Sequence, residues 1–123
     1  MVKLVFCLRR RTDISESEFH RYWREEHGPL VARHAPALGI RRYVQLHTLS
    51  GPLNTMLAAS RQAPEAFDGV AELWFDDADA LTTSAGSDEG LAAAAELARD
   101  EERFIDHARS PLFVAEEWEV IAP

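Results

Sequence analysis

The order of the apolar segments constrains the fold of this chain more than any other feature of its sequence. Runs rich in apolar and β-branched residues predict β-strands at residues 2–9, 40–49, 69–75 and 112–120. Between the first and second runs, Ser15 and Glu18 have the spacing of a capping box and begin a predicted helix. Between the third and fourth runs, residues 77–106 have helical periodicity, and Gly86 divides them into a short and a longer helix.

Strand, helix, strand, strand, helix, strand is the order of elements in ferredoxin-like folds. It predicts an α+β domain with βαββαβ topology, in which helices cover one face of a four-stranded antiparallel sheet. At 123 residues the chain has the size of one domain. We therefore expect residues 1–123 to form a single domain around one core.

Both faces of the predicted sheet are apolar. In the first run, the even-numbered residues from Val2 to Leu8 point to one side, while Val5 and Cys7 point to the other. Two helices cover only one face. Because soluble monomers rarely expose a large apolar face, we expect a homodimer that packs sheet against sheet. The alternatives concern residues 50–66, which are long for a hairpin connection and could fold over that face or form a lid over a pocket.

The first predicted helix carries aromatic side chains and a histidine on one face. At three- and four-residue steps lie Phe19, Tyr22, Trp23 and His27. Pro29 has no N–H group and disfavours helical backbone at the residue before it, so we expect a kink or an end near His27 and a short turn after it. His27 is a candidate general acid or base because imidazole titrates near neutral pH. The alternative is a histidine that hydrogen-bonds a backbone carbonyl at a helix end.

Three further residues are candidates for acid–base roles. His47 lies on the polar face of the second strand, where an edge-strand histidine in water is the alternative. Glu72 lies in a strand that should be central, so its carboxylate needs a partner or a raised pKa; a structural ion pair with an arginine or histidine is the alternative. Asp106 follows the second helix and could orient a histidine, but a plain helix-end carboxylate is the favoured interpretation.

Charge restricts the partners. The net charge is −8 and no basic stripe is present, which argues against nucleic acid and anionic membranes as partners. Small molecules and proteins remain. Cys7 is the only cysteine, and no signal peptide or long apolar span is evident, so we expect a cytoplasmic protein.

No metal or cofactor motif stands out. His20, His27 and His34 are seven residues apart, which separates successive rings by roughly 10 Å on a helix, too far to share one ion. Glycine-rich phosphate loops, thiol pairs and serine elbows are absent from the sequence. We expect no metal and no cofactor, while haem, which needs only one histidine ligand, stays open.

The motifs, in their order along the chain, resemble a known family. They comprise Phe19, Tyr22-Trp23 and His27-Gly28-Pro29-Leu30-Val31, then Arg42-Tyr43-Val44-Gln45 with His47, then residues 67–75, then Asp100 with Phe104-Ile105-Asp106. Together they are similar to the EthD family of the dimeric α+β barrel superfamily. The resemblance covers nearly the whole chain and implies a ferredoxin-like fold that dimerises through its sheets, with a pocket between helices and sheet.

The resemblance also suggests a function. It implies a pocket for a small aromatic ligand, with substrate-binding residues drawn from the quoted motifs: Phe19, Tyr22, Trp23, Tyr43, Gln45, Trp74 and Phe104. Relatives include polyketide cyclases, cofactor-free monooxygenases, lactone isomerases and haem enzymes. We therefore expect an enzyme that acts on an aromatic or polyketide-like compound by cofactor-independent acid–base chemistry, as a cyclase, dehydratase or isomerase, or by oxidation. The alternative is a non-catalytic protein that binds a hydrophobic ligand or accompanies an oxidoreductase or degradation pathway.

Overall fold

The computed structural model describes residues 1–123. In chain order its elements are β1 (Val2–Leu8), α1 (Glu16–Tyr22), a π-helical turn (Trp23–His27), α2 (Gly28–Leu38), β2 (Arg42–His47), α3 (Pro52–Arg61), β3 (Gly69–Phe75), α4 (Ala78–Gly86), α5 (Asp88–Glu101), a 3-10 turn (His107–Arg109) and β4 (Leu112–Glu116). No helix has the length and the apolar character that crossing a membrane requires.

The strands form one antiparallel sheet with the order β2-β3-β1-β4, which confirms the ferredoxin-like fold. β2 and β4 are shorter than predicted. β4 ends at Glu116, which pairs with Val2, the first residue of β1. β2 ends at His47, opposite Gly69, because its only neighbour, β3, begins there.

Serine caps begin two of the helices. The Ser15 hydroxyl accepts a hydrogen bond from the N–H of Glu18 at 3.1 Å, so α1 begins where the capping box predicts. The Ser87 hydroxyl accepts one from the N–H of Gly90 at 2.9 Å. The predicted division after Gly86 is therefore confirmed, with α4 on one side and α5 on the other.

The predicted break near His27 takes the form of the π-helical turn. Its carbonyl at Trp23 accepts a hydrogen bond from the N–H of Gly28, five residues later. Gly28 keeps helical angles (φ −54°, ψ −51°), so the expectation that Pro29 would displace it from the helix is wrong. Pro29 lies in the first turn of α2, where its missing N–H costs little because the widened turn already changes the hydrogen-bond register. α2 therefore continues to Leu38.

The core lies between the helices and one face of the sheet. Its main cluster comprises Phe6, Leu8, Phe19, Trp23, Ala71, Phe104 and Ile105. Gly69 lies directly under the Trp23 ring, and a Cβ atom there would overlap that ring. A glycine at the start of β3 thus allows the indole to pack against the strand.

The opposite face of the sheet, here called the open face, carries no helix. Strand pairing places on it Val5, Cys7, Val44, Leu46, Val70, Trp74, Phe113 and Ala115. No residue of α3 is buried, and its apolar side chains Leu53, Met56 and Leu57 are each more than half exposed. The suggestion that residues 50–66 fold over this face within one chain is therefore wrong, because the apolar side of α3 is not packed against it.

Candidate functional site

A cavity of about 120 Å³ lies between the sheet and the helices, beside the π-helical turn. Its apolar walls are formed by Phe6, Leu8, Trp23, Val31, Tyr43, Ala71, Leu73, Leu97, Ile105 and Leu112. Two ionisable side chains, His27 and Glu101, complete the lining. An apolar cavity of about 150 Å³ holds benzene, so this one has room for about one small ring. Leu112 is 57% exposed, which places the mouth of the cavity beside β4.

His27 is held in this cavity by hydrogen bonds and packing. The residue is only 4% exposed. Its Nδ1 lies 2.7 Å from Oδ2 of Asp100, and the other carboxylate oxygen accepts a hydrogen bond from the Tyr22 hydroxyl at 2.6 Å. Phe104 packs against the imidazole with 5.0 Å between ring centroids. The ring therefore has one well-defined orientation.

That orientation suits a general base. Because an ionised carboxylate only accepts hydrogen bonds, Nδ1 of His27 is the donor to Asp100 and carries the proton. In the neutral ring the lone pair is then on Nε2. When Nε2 takes a proton the ring becomes positively charged, and the Asp100 carboxylate stabilises that charge. The aspartate of Ser–His–Asp sites has the same role.

Two tyrosines next to the site stay neutral at neutral pH. Burial, with a hydrogen bond to Asp100, raises the pKa of Tyr22 to about 12. Burial likewise raises the pKa of Tyr43, whose hydroxyl accepts a hydrogen bond from the Gln45 side chain at 2.9 Å. The same amide nitrogen donates to the carbonyl of Trp23 at 2.9 Å. Gln45 thus joins β2 to the π-helical turn and holds the phenol of Tyr43 at the cavity wall.

His47 lies outside the cavity and is paired with a second histidine. Its Nδ1 is 2.7 Å from Nδ1 of His20, its Nε2 is 2.8 Å from Oε1 of Gln45, and its ring lies over the outer face of Trp23 at 4.5 Å between centroids. Burial lowers the pKa of both histidines. Both nitrogens of His47 are therefore engaged, and neither faces the cavity.

Glu72 and Trp74 lie on the open face, on the far side of the sheet from His27. The Glu72 carboxylate accepts a hydrogen bond from the Lys3 ammonium at 2.5 Å. It has the partner that a central strand requires, although that partner is a lysine and not the arginine or histidine expected. Lys3 also lies 4.7 Å from the ring centroid of Trp74.

The remaining predicted binding residues divide by position. Trp23 and Tyr43 line the cavity. Phe19 and Phe104 are completely buried behind its wall, where they pack against each other. Tyr22 stands behind His27 through Asp100, and Gln45 stands behind Tyr43, so both contact lining groups without lining the cavity themselves.

Neither carboxylate of this site, Asp100 or Glu101, was predicted from the sequence as a site residue, although Asp100 belongs to the motifs that carry the family resemblance. Both lie at the end of α5, three and four residues after Leu97, which lines the cavity. Spacing from that buried leucine is the signal that places them on the inner face of α5. Asp106, the aspartate considered instead, accepts a hydrogen bond from Arg109 at 2.8 Å and does not reach His27.

Comparison with known proteins gives one family. A model of the EthD domain matches residues 11–108. A solved structure of an ethyl tert-butyl ether D (EthD) family protein from Bacillus halodurans C-125 is 24% identical with a TM-score of 0.63, over 96% of this chain and 99% of that one. No curated protein sequence matches this chain.

Two more distant structures share the fold. A dimeric protein of unknown function with a ferredoxin-like fold, from Bacteroides fragilis NCTC 9343, is 15% identical with a TM-score of 0.56, over 94% of this chain and 95% of that one. A mutant of SnoaB, a cofactor-independent oxygenase from Streptomyces nogalater, is 16% identical with a TM-score of 0.56, over 99% and 97%. At these identities the likeness is one of fold.

Proposed function

Because this chain belongs to the EthD family, we propose that it is an enzyme that removes a proton from a small cyclic carbonyl compound bound beside His27. The observation that carries the proposal is the arrangement of His27, with Asp100 on Nδ1 and with Nε2 in an apolar cavity. A base in such a cavity acts on a ligand from which water has been displaced. Asp100 stabilises the imidazolium that forms.

Removal of a proton next to a carbonyl is the first step of both expected reaction classes. An enolate or phenolate formed in this way can be protonated at another atom, which gives an isomerisation, or can lead to a cyclisation or a dehydration. It can also give electrons to O₂, in which case the substrate is oxidised and O₂ is reduced. SnoaB is a cofactor-independent oxygenase of the same fold, which supports keeping the oxidative branch.

The proposal involves no resident cofactor. Haem is the group that the wider superfamily suggests, with a histidine as its ligand. The cavity beside His27 measures about 120 Å³, which is close to the volume of one ring and far below that of a macrocycle. The residues present therefore do not fit haem. No three metal-binding side chains among His, Cys, Asp and Glu are grouped to hold an ion.

The test uses cyclohexanone, a single-ring ketone, as the probe. We expect the protein to accelerate exchange of its α-protons in D₂O, followed by NMR, and His27→Gln to lower that acceleration by about 10²–10⁴-fold. His34→Gln is the matched control, because His34 pairs with Glu96 at 2.8 Å outside the cavity. A thermal-shift screen with aromatic acids, quinones and lactones identifies larger ligands.

The outcomes separate the two functional classes. Binding of these rings without proton exchange would favour the non-catalytic alternative, a protein that carries or binds a hydrophobic ligand. Exchange that survives His27→Gln would overturn the assignment of the base.

We also propose that two copies pack through their open faces. The apolar side chains of that face come from all four strands, and its central charges, Lys3 and Glu72, neutralise each other. Light scattering at micromolar concentration should give twice the 13.8 kDa of one chain. Val70→Lys on the open face should yield single chains, whereas Leu53→Lys on α3 should leave the dimer intact. The reverse result would identify α3 as the dimer contact.

A further inference from the structure

Glu101 faces two histidines from the last position of α5. Its Oε2 lies 4.0 Å from Nε2 of His27, and its Oε1 lies 3.0 Å from Nε2 of His107. It is the one carboxylate among the residues that line the cavity, and its side chain is only 19% exposed. We infer that Glu101 is a second acid–base residue of this cavity and that His107 is the residue that positions it. The inference rests on the proposed function of His27.

The separation of the two groups fits a substrate atom between them. At 4.0 Å the carboxylate and the imidazole do not hydrogen-bond each other directly. An oxygen atom about 2.8 Å from each of them is geometrically allowed, on the cavity side of the line that joins them. A hydroxyl or carbonyl oxygen of a bound ring would thus contact both groups at once.

Two groups of this kind can move a proton within a substrate with no net proton uptake. His27, as the neutral imidazole, accepts a proton at Nε2 from one atom of the ring, and Glu101, as the carboxylic acid, donates its proton to another. One C–H or O–H bond of the substrate breaks and one forms, and the enzyme is left with an imidazolium at His27 and a carboxylate at Glu101. An oxygen atom bridging the two side chains then returns the proton to Glu101. The same pair in the reverse sense serves the reverse reaction.

His107 holds Glu101 in this position from the 3-10 turn. Its ring lies nearly parallel to that of Phe6, with 6.3 Å between the centroids and 13° between the planes. Its Nε2 forms a hydrogen bond of 3.0 Å with the Glu101 carboxylate. Without that bond the Glu101 side chain, at the end of a helix, is free to rotate away from the cavity. The other ionisable groups around Glu101 are the Tyr43 phenol in the cavity wall and the adjacent Asp100, which is bonded to His27 and Tyr22.

The same helix supplies a matched comparison. Glu96 lies five residues earlier on α5 and pairs with His34 at 2.8 Å. Its side chain is 46% exposed, against 19% for Glu101, and it does not line the cavity. Glu96→Gln therefore removes the same charge from a glutamate–histidine pair on the same helix, away from the proposed reaction.

The experiment measures α-proton exchange of cyclohexanone in D₂O with the full chain. We expect Glu101→Gln to lower the protein-catalysed rate by about 10²-fold or more, and Glu96→Gln to leave it unchanged, with thermal unfolding midpoints close to that of the natural chain. If Glu101→Gln retains the full rate while His27→Gln loses it, the role of Glu101 is overturned and the proposed function stands. If the natural chain gives no exchange at all, both are overturned.

Two variants of His107 separate positioning from stability. His107→Gln keeps an N–H donor for the carboxylate and should retain most of the exchange rate, whereas His107→Ala should approach the loss seen in Glu101→Gln. Equal rates in His107→Gln and His107→Ala would overturn the positioning role, since a purely structural residue would alter the unfolding midpoint instead.

Discussion

Two of the histidine pairs in the molecule are alike in distance and different in use. Nδ1 of His27 lies 2.7 Å from the Asp100 carboxylate, and Nδ1 of His47 lies 2.7 Å from Nδ1 of His20. The first ring is buried against a cavity with its second nitrogen unbonded there. The ring of His47 is half-buried, and its remaining nitrogen, Nε2, forms a hydrogen bond with the side chain of Gln45. A histidine near an aromatic wall is therefore a candidate base only where one nitrogen remains for the ligand.

The indole of Trp23 separates the two pairs. It lines the cavity on one side and contacts the ring of His47 on the other. The backbone carbonyl of Trp23, in the π-helical turn, also accepts a hydrogen bond from the side chain of Gln45, which links both regions. Substitutions in either pair test whether Trp23 keeps the acid–base chemistry at His27 independent of the His20–His47 pair.

Asp100→Asn should have the largest effect. The amide keeps an acceptor for the Tyr22 hydroxyl but no longer neutralises a charged imidazole, and it can stabilise the wrong tautomer of His27. We expect exchange of cyclohexanone protons to slow by about 10²–10⁴-fold. His20→Asn, the corresponding change in the other pair, should leave the rate unchanged. Equal losses in the two variants would mean that Trp23 does not isolate the pairs.

Gly69→Ala should displace the wall itself. A Cβ atom at this position overlaps the Trp23 ring from below. We expect a loss of about 1–3 kcal/mol in the free energy of unfolding, as for overpacked cores, measured by urea denaturation. Gly86→Ala is the control, since nothing lies within 4 Å of the added atom there. An unchanged stability for Gly69→Ala would mean that the indole packs less closely than described.

Tyr22→Phe removes one of the two hydrogen bonds to Asp100. The expected cost is about 1 kcal/mol in the free energy of unfolding at neutral pH. Because the pKa of Tyr22 is raised from 10 to about 12 by burial and by Asp100, folding favours the neutral phenol. Its contribution is complete below pH 10 and is lost as the pH rises towards 12. Stability curves of the two proteins should therefore converge in that range, and parallel curves would contradict the assignment.

The His20–His47 pair should give the smallest effect, confined to acidic pH. Burial lowers the pKa of both rings, so the folded state binds protons less readily than the unfolded chain. Stability is complete above pH 6.5 and falls as the pH drops from 6.5 through the lowered pKa values. His47→Gln should reduce this fall, measured as the urea midpoint between pH 7 and pH 5. A variant of His47 that shows the full fall in stability would contradict the prediction.

The sequence predicted the fold better than the partners within the site. The capping box at Ser15, the strand at residues 69–75 and the alternation of β1 are local patterns, and the structure confirms each of them. The position of His27 on the packed face also follows from helical spacing. Its partner Asp100 lies 73 residues away, and which side of α5 meets the π-helical turn is decided by tertiary packing. Asp106 was therefore considered in place of Asp100, although it follows α5 and bonds to Arg109.

The outcome for Glu72 depends on tertiary pairing in the same way. A carboxylate in the central strand predicts a buried partner, and Lys3 on the neighbouring strand supplies it. The sequence pattern does not specify which face of the sheet the helices cover. In the structure Glu72 and Trp74 lie on the open face, while Ala71 and Leu73 of the same strand line the cavity. The sequence alone therefore could not place these two residues relative to the cavity.

The π-helical turn makes the spacing of this helix as important as its composition. Since each π hydrogen bond spans five residues, the segment Trp23–His27 holds one residue more than regular α-helical winding would need. Deleting a single residue there would restore regular winding while α2 keeps its position, so Leu30 and Val31 would stay in the core. The change would be confined to the turn itself, where Trp23 and His27 line the cavity. In an alignment of relatives, a gap at this point would mark a differently shaped cavity even where a histidine is retained.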